Sequence, residues 1–298
     1  MLIAHHNLRA AAMAITDVEA QRIYLWPEGK VPTVTEYTEN KDFAYADEPG
    51  FAPYMLEMLV DESVAPKGAV VLAAGGGHMY RSNVEEAYEV ALALNAEGYQ
   101  CFIVNYRVAP FSDEESAIDI ARAVRIVRAN AEKYRIEADH IAAAGFSYGG
   151  IVTSLAADIF AGDVNATAVT PDYQPDEIDA VPADLNAYLA VYSVTPDVIT
   201  NEKFPPTFFC YGANDTMLWS WGFRTYMLVR EKGIYAELHT MSGVPHGFGA
   251  GTDAEGIVYE NASAWPMLAD DFMTYVYAQN DLPEEQRTPV FTGAVYGK

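Results

Sequence analysis

A serine between glycines is the residue of this sequence whose surroundings most clearly suggest chemistry. Ser147 lies in the stretch GFSYG, which follows an apolar, strand-like run and precedes a helical pattern. A G-x-S-x-G pattern between a strand and a helix is typical of a sharp turn that exposes a serine hydroxyl as a nucleophile. Gly145 and Gly149 avoid side chains that would collide in so tight a turn. We therefore predict that Ser147 is a nucleophile; the alternative is a glycine-rich turn that contains an incidental serine.

A serine hydroxyl is a weak nucleophile on its own and needs a base, for which histidine is the usual residue. His246 lies in the stretch SGVPHGFG after the last predicted strand, between a proline and a glycine, which suits a side chain presented at the end of a sheet. His140 begins the strand that leads to the serine and so lies at its wrong end, and His239 lies inside a strand. His5 and His6 belong to an N-terminal arm. We predict that His246 is the base.

The imidazole in turn needs a carboxylate that holds its tautomer and stabilises its charge. Asp215 comes a few residues after the buried run TFFCYG, again at the carboxyl end of a predicted strand. Asp270 and Asp271 are poorer candidates because they lie in a predicted helix. The chain has 42 acidic residues, so other loop carboxylates remain alternatives to Asp215.

An activated serine also needs hydrogen-bond donors for the negative oxygen that develops in the transition state. The backbone N–H of Tyr148, directly after the serine, is one candidate. Gly76, Gly77 and His78 are the others, in the stretch AAGGGHMYRS that follows a predicted strand. A glycine-rich loop can also bind phosphate, but this one has neither the lysine of a P-loop nor the G-x-G-x-x-G spacing of a dinucleotide site.

Aromatic side chains near these motifs are candidates for a substrate pocket. Tyr80 follows the glycine-rich stretch, and Trp219 and Trp221 follow Asp215 at a short distance. Aromatic residues are common in this chain and more often belong to a core. We nevertheless predict that Tyr80, Trp219 and Trp221 contribute to the pocket, where they could stack on a sugar.

The elements that must position these residues are short apolar runs that alternate with longer amphipathic ones after Gly68. The runs are almost continuously apolar, as expected of parallel strands that are covered on both faces. They are AVVLAA, CFIVNY, HIAAAG, AYLAVYS, TFFCYG and AELHTM. Five helices are predicted between and after them, and capping boxes at Ser82/Glu85 and Ser112/Glu115 indicate where two of them begin. This order predicts a doubly wound, mostly parallel α/β sheet with helices on both faces.

The first part of the chain has a different rhythm. Between residues 22 and 62 the runs RIYLW, VTEYT and PYMLEMLV are separated by proline and glycine, which predicts antiparallel strands at a sheet edge. We expect a single domain over residues 1–298, with residues 1–20 as an N-terminal arm. The acidic, proline-containing stretch 162–184 is predicted to be a surface loop, with a lid as the alternative.

Composition and charge exclude several classes of partner. The formal net charge of −24 disfavours binding to nucleic acid and to anionic lipid. No apolar run is long enough to span a membrane, and the N-terminus does not read as a signal peptide, so we expect a cytoplasmic protein. No cysteine or histidine cluster suggests a metal site, and no cofactor is expected. Cys101 and Cys210 are predicted to be buried free thiols, and the sequence leaves open a homo-oligomer.

Together these residues resemble the α/β-hydrolase superfamily, and within it the esterase group that contains carbohydrate acetyl esterases and BD-FAE-like enzymes. The likeness extends over about residues 23–278. Six stretches carry it: LWPEG, GAVVLAAGGGHMYRS, FIVNYRVAP, GFSYGG, PPTFFCYGANDTMLW and VPHGFG. The chain departs from the group at His78, where an aromatic residue commonly follows the glycines, and at Tyr148, where alanine is frequent.

The resemblance implies a serine esterase in which Ser147, Asp215 and His246 act in the chain order of that superfamily. The connection between AVYSV and FPPTFF is short where relatives often carry an insertion, which predicts little or no cap. With the bulk of Tyr148 beside the serine and the negative net charge, it predicts small ester substrates with short acyl groups, such as acetyl esters of neutral saccharides. Two alternatives remain: a serine peptidase of the same fold, and a ligand-binding protein built on a hydrolase scaffold. Intact candidates for all three triad positions favour the enzyme over the binding protein.

Overall fold

The computed structural model describes residues 2–193 and 198–290, without the side chains of residues 2–7 and of Trp219. Eight strands form one sheet in the order β1-β2-β4-β3-β5-β6-β7-β8. The strands are β1 (Ile23–Tyr24), β2 (Tyr54–Met58), β3 (Gly68–Ala73), β4 (Tyr99–Asn105), β5 (Ile141–Phe146), β6 (Ala187–Val191), β7 (Thr207–Gly212) and β8 (Ala236–Met241). The pairs β1–β2 and β2–β4 are antiparallel, and the other pairs are parallel. The predicted mostly parallel sheet with antiparallel N-terminal strands is confirmed.

Helices cover this sheet in two groups: α3 packs against α5, and α2 packs against α1 and α7. A π-helix (Val84–Tyr88) leads directly into α2. The helices are α1 (Leu2–Met13), α2 (Glu89–Glu97), α3 (Asp113–Ala129), α4 (Ala131–Tyr134), α5 (Tyr148–Ile159), α6 (Trp219–Glu231) and α7 (Trp265–Asn280). Along residues 2–193 and 198–290, none of these helices combines the length and the hydropathy that a membrane span would need.

The central strands explain why so many candidate residues meet at one edge. Every residue of β3, β4, β5, β6 and β7 is buried, as their apolar sequences predict for strands covered on both faces. Cys101 on β4 and Cys210 on β7 are buried free thiols, as predicted. Because β3 and β5 to β8 run parallel, the loops that follow them emerge on the same side, which is where ligands bind in open α/β sheets.

The run VTEYT was predicted to be a strand, and this prediction is wrong. The hydroxyls of Thr33 and Thr35 and the backbone N–H of Val34 all donate to the buried carboxylate of Glu115 at the start of α3. Hydrogen bonds to this carboxylate, about 80 positions away in the sequence, thus replace those that a strand would have made to a neighbour. Burial alone would raise the pKa of Glu115, but these donors and the N–H of Ser112 lower it to about 2.

Glu115→Gln should therefore lower the free energy of unfolding by about 2 kcal/mol at pH 7, because it weakens several charge-assisted hydrogen bonds at once. The folded-state pKa lies below the ordinary value of about 4.3. The stabilisation is thus fully present above about pH 4.3 and is lost as the pH falls towards 2. Urea unfolding at pH 7 and pH 3 measures this, with exposed Glu114→Gln as the control. A deficit for Glu115→Gln that does not shrink at pH 3 would contradict the assignment.

The two predicted capping boxes have different outcomes. Ser112 and Glu115 form theirs, with the Glu115 N–H donating to Ser112 Oγ at 3.2 Å and the Ser112 N–H donating to Glu115 Oε2 at 2.9 Å. The box at Ser82 and Glu85 is not formed, because the chain enters a π-helix there and Glu85 pairs with Arg9 instead. Glu85 thus forms an ion pair with Arg9, from a distant segment of the chain, and does not cap the helix that follows Ser82.

The predicted N-terminal arm contains α1, which packs against α2 and carries Arg9, whose guanidinium binds several other segments. Arg9 forms ion pairs with Glu85 at 3.3 Å and with buried Glu89 at 3.1 Å. It also donates to the carbonyls of Asp253 and Ala254 at 3.0 and 2.9 Å. These contacts join α1 to the π-helix, to α2 and to the loop that follows β8.

The acidic stretch 162–184 is held against α3 by arginines. Arg122 binds Asp176 at 2.7 Å and Asp179 at 3.2 Å. Arg125 donates to the carbonyls of Asp179 and Gly162, each at 3.0 Å. The stretch contains two short 3-10 turns and no strand or α-helix in its described residues, which agrees with the predicted loop.

Candidate active site

Ser147 lies in the sharp turn between β5 and α5 that its sequence predicted. Its backbone has a φ of 49° and a ψ of −120°, a conformation that L-residues rarely adopt. The flanking glycines permit this turn: a Cβ on Gly145 would lie 2.4 Å from Gly150 Cα, and one on Gly149 would lie 2.2 Å from the carbonyl oxygen of Ala73. The turn therefore needs glycine at both positions and presents the serine at the end of the sheet.

The side chains of Ser147, His246 and Asp215 form a continuous chain of hydrogen bonds. His246 Nε2 lies 2.9 Å from Ser147 Oγ, and His246 Nδ1 lies 2.8 Å from Asp215 Oδ2. The three residues follow β5, β7 and β8, which run parallel and end on the same side. The sequence predicted each residue separately, and the structure brings all three together.

The environment of Asp215 keeps its carboxylate charged. The residue is fully buried, and burial alone would raise its pKa. The hydrogen bond to His246 and those from the backbone N–H groups of Met217 and Leu218, at 2.8 and 3.0 Å, lower the pKa instead. A charged Asp215 holds the proton of His246 on Nδ1, so Nε2 is free to accept the proton of Ser147.

The glycine loop after β3 lies directly against the serine turn. A Cβ on Gly75 would come within 2.7 Å of both the Phe146 carbonyl oxygen and Ser147 Cβ. The next residues, Gly76, Gly77 and His78, all have positive φ, of 129°, 63° and 63°. The predicted donors Gly76, Gly77 and His78 thus lie in the loop that packs against the serine turn. Tyr148, the other predicted donor, is the first residue of α5. The role of Gly75 in bringing the two together was missed at the sequence level, although it opens the same glycine run.

His78 belongs to a second cluster and not to the serine's hydrogen-bond chain. Its ring stacks on Tyr148, with centroids 4.6 Å apart and planes 10° apart, and its Nε2 lies 3.1 Å from Ser116 Oγ. The Tyr148 hydroxyl donates to Asp113, which also lies 3.6 Å from His78 Nδ1. Burial lowers the pKa of His78, which favours a neutral ring. The stacking joins the glycine loop to the first residue of α5, directly after Ser147.

The predicted pocket aromatics are less closely tied to the triad. Tyr80 is 55% exposed, and its backbone carbonyl packs against Gly76. Trp221 lies on α6 in a surface groove with Phe223 and Met227. The side chain of Trp219 is outside the described residues.

Two buried residues at the site were not predicted from the sequence: Glu86 and Tyr192. The backbone N–H of Gly75 donates to Glu86 Oε2 at 2.6 Å, and the Tyr192 hydroxyl donates to Glu86 Oε1 at 3.1 Å. The ring of Tyr192 packs edge-on against His246, with centroids 4.9 Å apart. Glu86 was not singled out at the sequence level, since it lies beside Glu85 in an acidic stretch and no local pattern distinguishes it there.

A metal site is not apparent in the described chain, where no three histidine, cysteine, aspartate or glutamate side chains are grouped as ligands.

Comparison with known proteins finds one matching family and relatives that are named as esterases. The family described as BD-FAE matches residues 58–195. "Esterase LipC" of Mycobacterium tuberculosis is 30% identical over 148 residues, which are 49% of this chain and 36% of that protein. "Acetylxylan esterase" of Xylanibacter ruminicola is 37% identical over 92 residues, 30% of this chain and 19% of that protein. The chain thus spans about a third or less of the length of these relatives. The predicted resemblance to BD-FAE-like esterases is confirmed.

Solved structures share the fold at low sequence identity. An acetyl ester-xyloside bifunctional hydrolase from Caldicellulosiruptor lactoaceticus superposes with a TM-score of 0.69 at 22% identity, over 86% of this chain and 96% of that one. A thermophilic esterase from Thermogutta terrifontis, with butyrate bound, gives a TM-score of 0.60 at 19% identity, over 84% of this chain and 96% of that one. The predicted α/β-hydrolase fold is confirmed.

Proposed function

We propose that this chain, with its α/β-hydrolase fold and its resemblance to BD-FAE-like esterases, is a carboxylic-ester hydrolase. The observation that carries the proposal is the hydrogen-bonded chain from Ser147 Oγ through His246 to Asp215 at the carboxyl ends of parallel strands. The esterase names of its relatives support the same reaction class.

In the proposed acylation step, His246 Nε2 takes the proton of Ser147 as the serine oxygen attacks the ester carbonyl carbon. The carbonyl oxygen becomes negative in the tetrahedral intermediate, and the backbone N–H groups of Tyr148, Gly76, Gly77 and His78 are the proposed donors to it. The intermediate collapses when the bond to the alcohol oxygen breaks, and His246 gives its proton to that leaving oxygen. An acyl group then remains on Ser147.

In the proposed deacylation step, water replaces the alcohol. His246 takes a proton from the water while the water oxygen attacks the acyl carbon. It then gives that proton to Ser147 Oγ when the bond between the acyl group and the serine breaks. Buried Asp215 stays ionised throughout and stabilises the imidazolium that forms in each half of the cycle. No proton is left over after the two steps.

The proposed substrates are esters of short acyl groups, with acetyl esters of neutral saccharides as the proposed class. The stacked rings of His78 and Tyr148 add bulk next to Ser147, which leaves less room for a long acyl chain. The net charge of −24 repels anionic substrates. Two similar proteins have names that refer to acetylxylan and to an acetyl ester-xyloside, which is consistent with this class.

The first test compares 4-nitrophenyl acetate with the matching 4-nitroacetanilide. We expect turnover of the ester and none of the anilide above the background of Ser147→Ala. Turnover of the anilide at a similar kcat/KM would favour a peptidase of this fold. Binding of acetylated saccharides by calorimetry, with no turnover of any ester, would favour a ligand-binding protein.

A chain-length series of 4-nitrophenyl esters should show its highest kcat/KM at two to about four acyl carbons, because no long apolar channel is expected beside the stacked rings. Each methylene that entered such a channel would instead contribute about 0.8 kcal/mol, or about fourfold in binding. A maximum at about eight carbons or more would contradict the short-acyl assignment.

Acetylated acidic saccharides should react more slowly than neutral ones because the protein surface is negative. Added salt should reduce the difference in kcat/KM between them, since ~0.1 M salt screens surface charge beyond about 10 Å.

A further inference from the structure

Glu86 is a buried acid that lies between two loops of the proposed site. It is 5% exposed and belongs to the π-helix that follows the glycine loop. Its Oε2 accepts a 2.6 Å hydrogen bond from the backbone N–H of Gly75, and its Oε1 accepts one of 3.1 Å from the Tyr192 hydroxyl. Both carboxylate oxygens are therefore acceptors, and each has a donor from a different segment of the chain.

The hydrogen bond from the Gly75 N–H joins Glu86 to the loop that carries the proposed oxyanion donors. Gly75 lies so close to the serine turn that a Cβ on it would be 2.7 Å from Ser147 Cβ and 3.0 Å from Glu86 Oε2. The carbonyl of Gly75 accepts from the Ser82 N–H at 3.0 Å. The peptide groups on both sides of Gly75 are thus held, and its N–H depends on Glu86 for a buried acceptor.

The hydrogen bond from the Tyr192 hydroxyl joins Glu86, through Tyr192, to the loop that carries His246. Tyr192 is fully buried and has a φ of 36°, and burial raises its pKa well above the ordinary value, so the phenol keeps its proton. Its oxygen accepts from the Gly249 N–H at 3.0 Å, so its single proton is donated to Glu86. Its ring lies edge-on to both His246 and Phe248.

The charge of Glu86 also matters to the histidine. Burial raises the pKa of Glu86 to about 7, while the donors Gly75 and Tyr192 and the positive charge of His246 act in the opposite direction. The ionisable groups that face it are His246, Tyr192, Tyr106 and the neighbouring Glu85. An ionised Glu86 favours the imidazolium that forms on His246 during the reaction.

We propose that Glu86 is a positioning residue of this site, whose carboxylate holds the glycine loop through the Gly75 N–H and the His246 loop through Tyr192. This inference rests on the proposed esterase function. Glutamine would have the same shape but only one acceptor oxygen. Its amide group would face either the Gly75 N–H or a Tyr192 hydroxyl that already accepts from Gly249, so one of the two links would be lost.

The test is Glu86→Gln beside Glu89→Gln, in the full chain with 4-nitrophenyl acetate. Glu89 is a matched control because it is 1% exposed, follows in the same helical segment and binds Arg9, away from Ser147 and His246. For Glu86→Gln we expect kcat to fall about 10- to 100-fold with KM within about threefold, since a loosened constellation costs rate and not binding. Its deficit in kcat should be larger above about pH 7, where Glu86 of the parent is ionised and accepts both hydrogen bonds, than below it.

The proposal is overturned if Glu86→Gln keeps kcat within about threefold of the parent. It is also overturned if Glu86→Gln and Glu89→Gln lose equal activity in step with their thermal unfolding temperatures, which would mean a packing role alone. If Glu86→Gln does not fold, Tyr192→Phe decides, because it keeps the buried ring and removes only the hydroxyl. We expect it to lower kcat about 10-fold, and an unchanged kcat would overturn the proposal.

The proposed function fails separately from this inference. If the parent protein hydrolyses no ester faster than Ser147→Ala, the esterase function is wrong and Glu86 has nothing to position. If the parent is active and depends on Ser147, the esterase function holds, and only the Glu86 and Tyr192 variants decide the inference. Where both single variants fold, their double variant should lose less than the product of the two losses, because they share one network.

Discussion

Replacing Ser147 by alanine should reduce kcat for 4-nitrophenyl acetate by about 10⁶-fold, because the variant lacks the oxygen that lies 2.9 Å from His246 Nε2 and forms the proposed acyl-enzyme. The fold should be retained, with the free energy of unfolding changed by less than about 1 kcal/mol, since the side chain removed is small and partly exposed. Steady-state kinetics and thermal unfolding of the purified variant measure the two effects.

Ser154→Ala provides the matched control for this substitution. Ser154 lies on α5, is fully buried and donates to the carbonyl of Ile151 at 2.7 Å. Its replacement should lower stability and leave kcat unchanged. A serine-directed phosphonate should label the parent and Ser154→Ala but not Ser147→Ala. Residual activity of Ser147→Ala within about tenfold of the parent would mean that another nucleophile carries the reaction.

The serine, the aspartate and the histidine could be predicted from the sequence because each has a local signal. A Cβ at Gly145 or Gly149 would collide with backbone, so the two glycines are themselves a sequence signal of the turn around Ser147. Asp215 and His246 were found because they follow apolar runs, and parallel strands bring the residues that follow them to one side of a sheet.

Glu86 and Tyr192 could not be predicted in the same way because their partners are distant along the chain. Glu86 reads as one acid in an acidic helix start, and its function in the fold depends on Tyr192, which lies 106 positions later. Partners that are distant along the chain also explain the two wrong predictions of local structure. Glu85 pairs with Arg9 instead of capping a helix, and Thr35 of VTEYT and the preceding Thr33 bind Glu115 instead of joining the sheet. In each case a long-range polar contact outweighs a local preference.

Replacing Asp215 by asparagine should reduce kcat by about 10⁴-fold while changing the shape of the site very little. The asparagine oxygen would take the place of Asp215 Oδ1, which accepts from the backbone N–H groups of Met217 and Leu218. The asparagine amide group would then face His246 Nδ1 and donate to it. The imidazole proton would be forced onto Nε2, so the nitrogen 2.9 Å from Ser147 Oγ could no longer accept the serine proton.

Asp270→Asn is the control, because Asp270 is the helix carboxylate that the sequence offered as a rival to Asp215. It lies on α7 and accepts from Lys67 at 2.7 Å and from Tyr99 at 2.9 Å. Its replacement should lower stability and leave kcat unchanged. KM should stay within about threefold in both variants, because the tautomer of His246 affects proton transfer and not binding of the ester. If Asp215→Asn kept kcat within about tenfold of the parent, the buried carboxylate would not be what orients His246, and the triad proposed for this site would be reduced to the serine and the histidine.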